Sequence, residues 1–178
     1  MKIKIDDQIH LELIALKHAQ EIFNLVDSNR THLKQHLSFV DKMQTVDFAI
    51  NFAKGTIEKN KLGIEYAFVI YFNNNPIGRI GIYKIDLQNK IAEIGYWLDK
   101  KEEGKGIISK SLNSLIKFCF DELKLNRIEI KCGIENSKSN AIPIKFNFKF
   151  EGVIRQGEFI NNQYIDLNLY SLLREEMQ

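Results

Sequence analysis

AEIGYWL, residues 92–98, runs into DKKEEGKGIIS, residues 99–109, and the change of pattern between them decides the fold. The first seven residues are dominated by apolar and aromatic types that suit a pleated, half-buried strand. The next stretch is charged and carries two glycines, Gly104 and Gly106, separated by one residue. From Gly106 to Leu123, Ile108, Leu112, Leu115, Ile116, Cys119, Phe120 and Leu123 recur at helical spacing opposite Lys110, Asn113, Lys117 and Asp121, which predicts an amphipathic helix. A strand ending in a glycine turn that opens a helix lets several N–H groups converge on an anion, and the helix dipole adds to the attraction. The spacing is neither GxxxxGK(S/T) nor GxGxxG, which disfavours a nucleoside-triphosphate loop and a Rossmann site. Taken alone, the loop fits both a pyrophosphate cradle and an ordinary tight turn.

Upstream, IGRIGIYKI at 77–85 and IEYAFVIYF at 64–72 complete a three-strand antiparallel meander with 91–98, turning at Asp86 to Asn89 and at Asn73, Asn74, Asn75 and Pro76. The 64–72 stretch is apolar on both faces and predicts a buried strand. Earlier still, Ile9, Leu11 and Leu13 alternate with His10 and Glu12 in a strand near 9–16. Ala19, Ile22, Phe23 and Val26, and then Val46, Ala49, Ile50, Ala53 and Ile57, fall at helical spacing. Downstream come a strand at 127–134, a short helix at about 139–147, and two strands joined at Asn161 and Asn162. The order β, αα, βββ, α, β, α, ββ describes an α+β chain of three layers.

The length of 178 residues suits a single domain over 1–178. With 44% hydrophobic and 27% charged residues, disordered, collagenous and coiled-coil architectures are disfavoured. The 25 basic and 23 acidic residues leave a net charge of +2, too little for the electrostatic footprint of a general nucleic-acid binder. MKIKIDDQIHLELIAL has no signal-peptide pattern, and no apolar run is long enough for a bilayer, so a cytoplasmic location is expected with Cys119 and Cys132 as reduced thiols. The two cysteines form no CxxC, and His32 and His36, spaced i, i+4 on a predicted helix, come without HExxH or a third ligand. No metal is expected. KFNFKF at 145–150 has some likeness to an RNA-stacking strand but lacks its glycine pattern.

Taken with ENSKSNAIPIKFNFKFEG at 135–152, the segment at 92–109 resembles the acetyl-CoA signature of the GNAT acetyltransferases, most closely the RimL/RimJ ribosomal-protein N-α-acetyltransferase branch. The resemblance extends to SNRTHLKQHL at 28–37 and EFINNQYIDLNLY at 158–170. It implies the GNAT fold, with a mixed, mostly antiparallel sheet of about seven strands flanked by helices. It also implies acetyl-CoA as co-substrate, an amine acceptor, foremost the N-terminal α-amine of a ribosomal protein, and a homodimer. A polyamine or aminoglycoside acceptor, and a non-catalytic acyl-CoA-binding domain, are the alternatives.

By that resemblance Tyr96, Trp97 and Leu98 offer strand backbone to the pantetheine arm and the acetyl carbonyl. Glu103, Gly104, Lys105, Gly106, Ile107, Ile108 and Ser109 surround the pyrophosphate, and Asn136 fixes the pantetheine from the neighbouring strand. The family loop usually begins with Gln or Arg, where this chain has Glu103, a carboxylate beside a polyphosphate. Many relatives protonate the leaving thiolate with a tyrosine seven residues after the asparagine; here that position is Pro143. The branch resemblance points instead to Ser139 as acid and to Glu158 as base. Read without it, Ser139 is also a helix-capping residue and Glu158 a solvated strand carboxylate.

Overall fold

The segment Tyr66–Phe72 (β3) shows why the sheet must be covered on both sides. Phe68 and Ile70 point into one core cluster, whereas Ala67, Val69 and Tyr71 point into another, as alternation along a strand requires. In a computed structural model that describes residues 1–177, β3 joins Lys2–Lys4 (β1), Ile9–Leu13 (β2), Asn75–Asp86 (β4), Ile91–Leu98 (β5), Arg127–Gly133 (β6), Lys149–Ile160 (β7) and Gln163–Leu173 (β8). The order across the sheet is β1-β2-β3-β4-β5-β6-β8-β7, and among the described residues the only parallel neighbours are β5 and β6. Helices Ala19–Ser28 (α1), Arg30–Leu33 (α2) and Val46–Lys61 (α3) bring Ile22, Val26, Leu33, Ala49 and Ala53 to one face. Helix Ile107–Lys117 (α4) packs Leu112, Leu115 and Ile116 on the other, and Ser137–Lys145 (α5) packs Ile142 against the same core cluster. Fully burying each such aliphatic or aromatic side chain is worth about 1.5–3 kcal/mol, so both covers are needed to hold the sheet. Among the described residues no helix is long and apolar enough to cross a membrane.

Several boundaries differ from the expectation. The sheet has eight strands rather than about seven, because the two-lysine segment β1 pairs with β2. The strand expected near 9–16 ends at Leu13, and Leu16–His18 forms a 3-10 turn in which Ala15 N donates to His18 Nδ1 at 3.0 Å. The helix expected from Gly106 to Leu123 leaves α geometry after Lys117 for a π turn over Phe118–Glu122. The extra residue per turn keeps Cys119 and Phe120 in the core, so periodicity could not expose the change. The helix placed at 139–147 is Ser137–Lys145, and in KFNFKF only Lys149 and Phe150 are in a strand.

One feature of the topology creates a cleft. β5 and β6 pair only where Ile91, Ala92 and Glu93 meet Arg127, Ile128 and Glu129. Beyond them each strand stays bonded to its outer neighbour, β5 to β4 as far as Leu98 and β6 to β8 as far as Gly133, while the two part from each other.

Candidate active site

The glycine turn lies at the open end of the parted strands. Asp99 Oδ1 accepts from Lys101 N at 2.9 Å and starts a short 3-10 turn, while Asn29 Oδ1 accepts from Lys100 N at 3.2 Å and ties the turn to the end of α1. Gly104 and Gly106 then adopt φ of 77° and 75°, left-handed values that glycine reaches without steric cost. Gly106 precedes α4, which has no side-chain cap and no acidic residue in its first turn. Its first N–H groups are therefore available to an anion, and the positive end of the helix dipole points the same way. Ile107 is buried beneath them as an anchor.

Glu103, at the head of the loop, is paired with two side chains. His32 Nε2 lies 3.0 Å from its Oε1, and Lys138 Nζ donates to its Oε2 at 2.6 Å. His32 thus stands against the glycine loop, and both it and His36 line the cleft. It also shares no helix with His36, because α2 ends at Leu33.

On the other side of the gap the chain leaves β6 and enters α5. Asn136 is the N-cap: its Oδ1 accepts from Ser139 N at 3.1 Å, which leaves the side-chain Nδ2 as its donor. Ser139 therefore lies in the first turn and is not the cap. Its hydroxyl faces Cys132 of β6, with Oγ and Sγ 3.2 Å apart. Pro143 has no N–H, so the carbonyl four residues back loses its usual helical partner. That carbonyl belongs to Ser139, and Tyr96 of β5 donates its hydroxyl to it at 3.2 Å. A proline inside α5 thereby frees the acceptor that ties α5 to β5 across the cleft. Burial pushes the Tyr96 phenol and the Cys132 thiol above their ordinary values, so both are protonated at neutral pH. Asn140, buried, fixes the helix from behind: it donates to Gly133 O and Asn136 O and accepts from Asn168 and Tyr170.

Glu158 arrives from β7. The pairing of β7 with β8 is interrupted between Ile154 and Glu158, where Gln156 has φ of 50° and its N–H donates to Asp166 at 2.7 Å. Such a bulge re-aims the side chain that follows it. Glu158 is half-buried at the cleft; Ser38 Oγ reaches its Oε1 only at 3.5 Å, and no salt bridge neutralises it among the described residues. Burial raises its pKa, Glu93 adds to the rise, and Ser38 and Lys84 oppose it. A carboxylate whose pKa moves towards neutrality is better matched to taking a proton from an amine.

The cleft of about 1490 Å³ is bordered by Tyr96, Trp97, Leu98, Glu103, Gly104, Gly106, Ile107, Ile108, Ser109, Asn136, Ser139 and Glu158. That exceeds the usual 300–1,000 Å³ of a small-ligand pocket, leaving room for an extended cofactor together with an acceptor. Lys105 is not at the cleft wall; it pairs with Glu102 at 2.7 Å.

Residues 8–149 match the acetyltransferase (GNAT) domain. The chain belongs to the GNAT acetyltransferase family. It is an N-acetyltransferase of the ribosomal-protein type: the ribosomal-protein-serine acetyltransferase of Escherichia coli is 34% identical over 169 residues, covering 95% of this chain and 94% of that one. The putative ribosomal N-acetyltransferase YdaF of Bacillus subtilis is 33% identical, covering 98% and 96%. A solved structure of RimL, the ribosomal L7/L12 α-N-protein acetyltransferase, with coenzyme A joined to a cysteine by a disulfide, superposes with a TM-score of 0.95 at 28% identity, covering 99% of each chain. The microcin C7 self-immunity acetyltransferase MccE, solved with acetyl-CoA and AMP, gives 0.92 at 31% identity, covering 96% and 95%.

In and beside this GNAT cleft, sequence reading missed Cys132, Lys138 and the Tyr96 hydroxyl, and Ser38 next to Glu158. Cys132 carried a signal, because it continues the alternation of Ile128 and Ile130 at the point where a core strand reaches the signature asparagine. Lys138 and Ser38 carried none, since each acquires its role from a partner distant in sequence.

Proposed function

We propose that this enzyme transfers acetyl from acetyl-CoA to the N-terminal α-amine of a ribosomal protein in the cytoplasm. The observation that carries the reading is the cleft where β5 and β6 part, with uncapped α4 amides at one end and Ser139 and Glu158 along it. Loop amides from Gly104 to Ser109 hold the pyrophosphate, the Asn136 donor and the free edge of β5 hold the pantetheine arm, and a β5 N–H faces the developing oxyanion. The neutral amine attacks the thioester carbonyl, and the proton shed from its nitrogen passes to Glu158. As the C–S bond breaks, Ser139 Oγ gives its proton to the departing thiolate and takes one back from solvent, Glu158 releases the amine proton to solvent, and N-acetyl product and coenzyme A thiol remain.

An α-amine has a pKa of about 7.7 to 8.0 against about 10.4 for lysine, so a single carboxylate base suffices for it. The expected result is faster acetylation of a peptide with a free N-terminal serine than of its N-blocked, lysine-containing counterpart, measured as thiol release from acetyl-CoA. Equal rates on both peptides, or turnover of spermidine alone, would replace the protein acceptor with a small amine.

A further inference from the structure

Glu103 begins the glycine turn, and its two oxygens reach opposite walls of the cleft. His32, on Oε1, belongs to α2, whose Leu33 packs into the core on one face of the sheet. Lys138, on Oε2, is in the first turn of α5, whose Ile142 packs against the core on the other face. The pairs therefore strap the mouth of the gap between β5 and β6 from one face to the other. His36 lines the same cleft. The same mouth holds the left-handed Gly104 and Gly106 and the uncapped start of α4. An anion with each oxygen on a separate nitrogen donor is the arrangement in which a phosphate would be held.

We infer that Glu103 is a built-in substitute for a cofactor phosphate. In the empty enzyme it keeps His32 and Lys138 at phosphate-binding positions, and when coenzyme A enters, the cofactor's phosphates take over both side chains. The inference rests on the acetyl-CoA reading and adds to it two phosphate ligands and a competing internal anion. It also accounts for a carboxylate at a loop position where relatives usually have Gln or Arg: the charge that would repel the cofactor is spent on the side chains that will bind it.

The test compares dissociation constants for coenzyme A and for pantetheine, which has the arm and lacks the phosphates, in wild type, Glu103→Gln and Lys138→Met. Competition against a fluorescent coenzyme A analogue reads both ligands. Glu103→Gln should tighten coenzyme A about threefold to tenfold and Lys138→Met should weaken it by a similar factor, the range for partly exposed charged contacts, with pantetheine unchanged. Opposite signs are the signature, because a purely mechanical latch would move both variants the same way. Shifts of the same sign, no shift in Glu103→Gln, or pantetheine following coenzyme A would overturn the inference while leaving the acetyltransferase reading intact. Wild type that binds neither ligand would overturn both.

Discussion

The two sides of the cleft are built from different material. The side made by β5, residues 103–109 and the start of α4 presents mainly backbone: an unpaired strand edge, two left-handed glycines and the open N–H groups of a helix. The side made by β7 presents one side chain, Glu158, set at an angle by a break in strand pairing and left without a cation. A backbone site tolerates most side-chain changes and fails where conformation or space changes, whereas a side-chain site fails at a single atom. Binding and turnover should therefore separate.

The sharpest way to break that comparison is Glu158→Gln, which keeps size and hydrogen bonding but cannot take the amine proton. Turnover should fall about 100-fold to 10,000-fold with acetyl-CoA affinity nearly intact, and the defect should shrink as pH rises and more amine is neutral on its own. Ser139→Ala should lose less, because a thiolate can leave unprotonated, and its defect should not shrink with pH. A wild-type rate and pH profile in Glu158→Gln would remove Glu158 from the chemistry.

The reverse experiment attacks the backbone side. Coenzyme A at about 100 times its dissociation constant stabilises a selectively binding native state by about 2.7 kcal/mol, visible as a rise in melting temperature. Gly106→Glu should abolish that rise, because φ of 75° strains any side chain and the new carboxylate would occupy the anion's place. A full thermal shift in this variant would mean that the phosphates sit elsewhere.

The smallest effect concerns stability. Burial holds the Glu158 pKa above its ordinary 4.5, so the folded state keeps the proton more firmly than the unfolded chain does. The favourable contribution is complete below 4.5 and is lost as pH rises through the folded pKa. Glu158→Gln has nothing to ionise, so its melting temperature should gain on wild type as pH rises from 4 to 7, with little difference at the acid end. A gap that is constant across this range would show that the burial of Glu158 has no energetic consequence.

The meander was legible because its signals are local. Asn73 and Asn74 adopt φ of 49° and 61°, the left-handed values that a tight hairpin demands and that asparagine tolerates. The two-faced apolar run ending at Phe72 could only be a strand covered on both sides. The glycine turn was legible for the same reason, since left-handed backbone selects glycine. By contrast, β1 consists of two lysines around one isoleucine and becomes a strand only because β2 offers it an edge. The π turn after Lys117 preserves the apolar face that would have revealed it, and Asn136 and Ser139 both carry capping side chains, so composition could not say which one caps.

The sequence by itself determined the order of the elements from β2 onward apart from the short α2, the meander, the glycine turn opening α4, and through the resemblance the family. Backbone conformation and the alternation of apolar residues are properties of neighbours along the chain. Only the tertiary structure decided that Glu103 spends its charge on His32 and Lys138, that the carbonyl released by Pro143 is taken by Tyr96, and that the break in β7 leaves Glu158 half-buried and unpaired. Each of these depends on groups from different elements meeting at one point. A carboxylate's charge, solvation and pKa are set by what stands within a few ångströms of it in space, which the order of residues along the chain does not state.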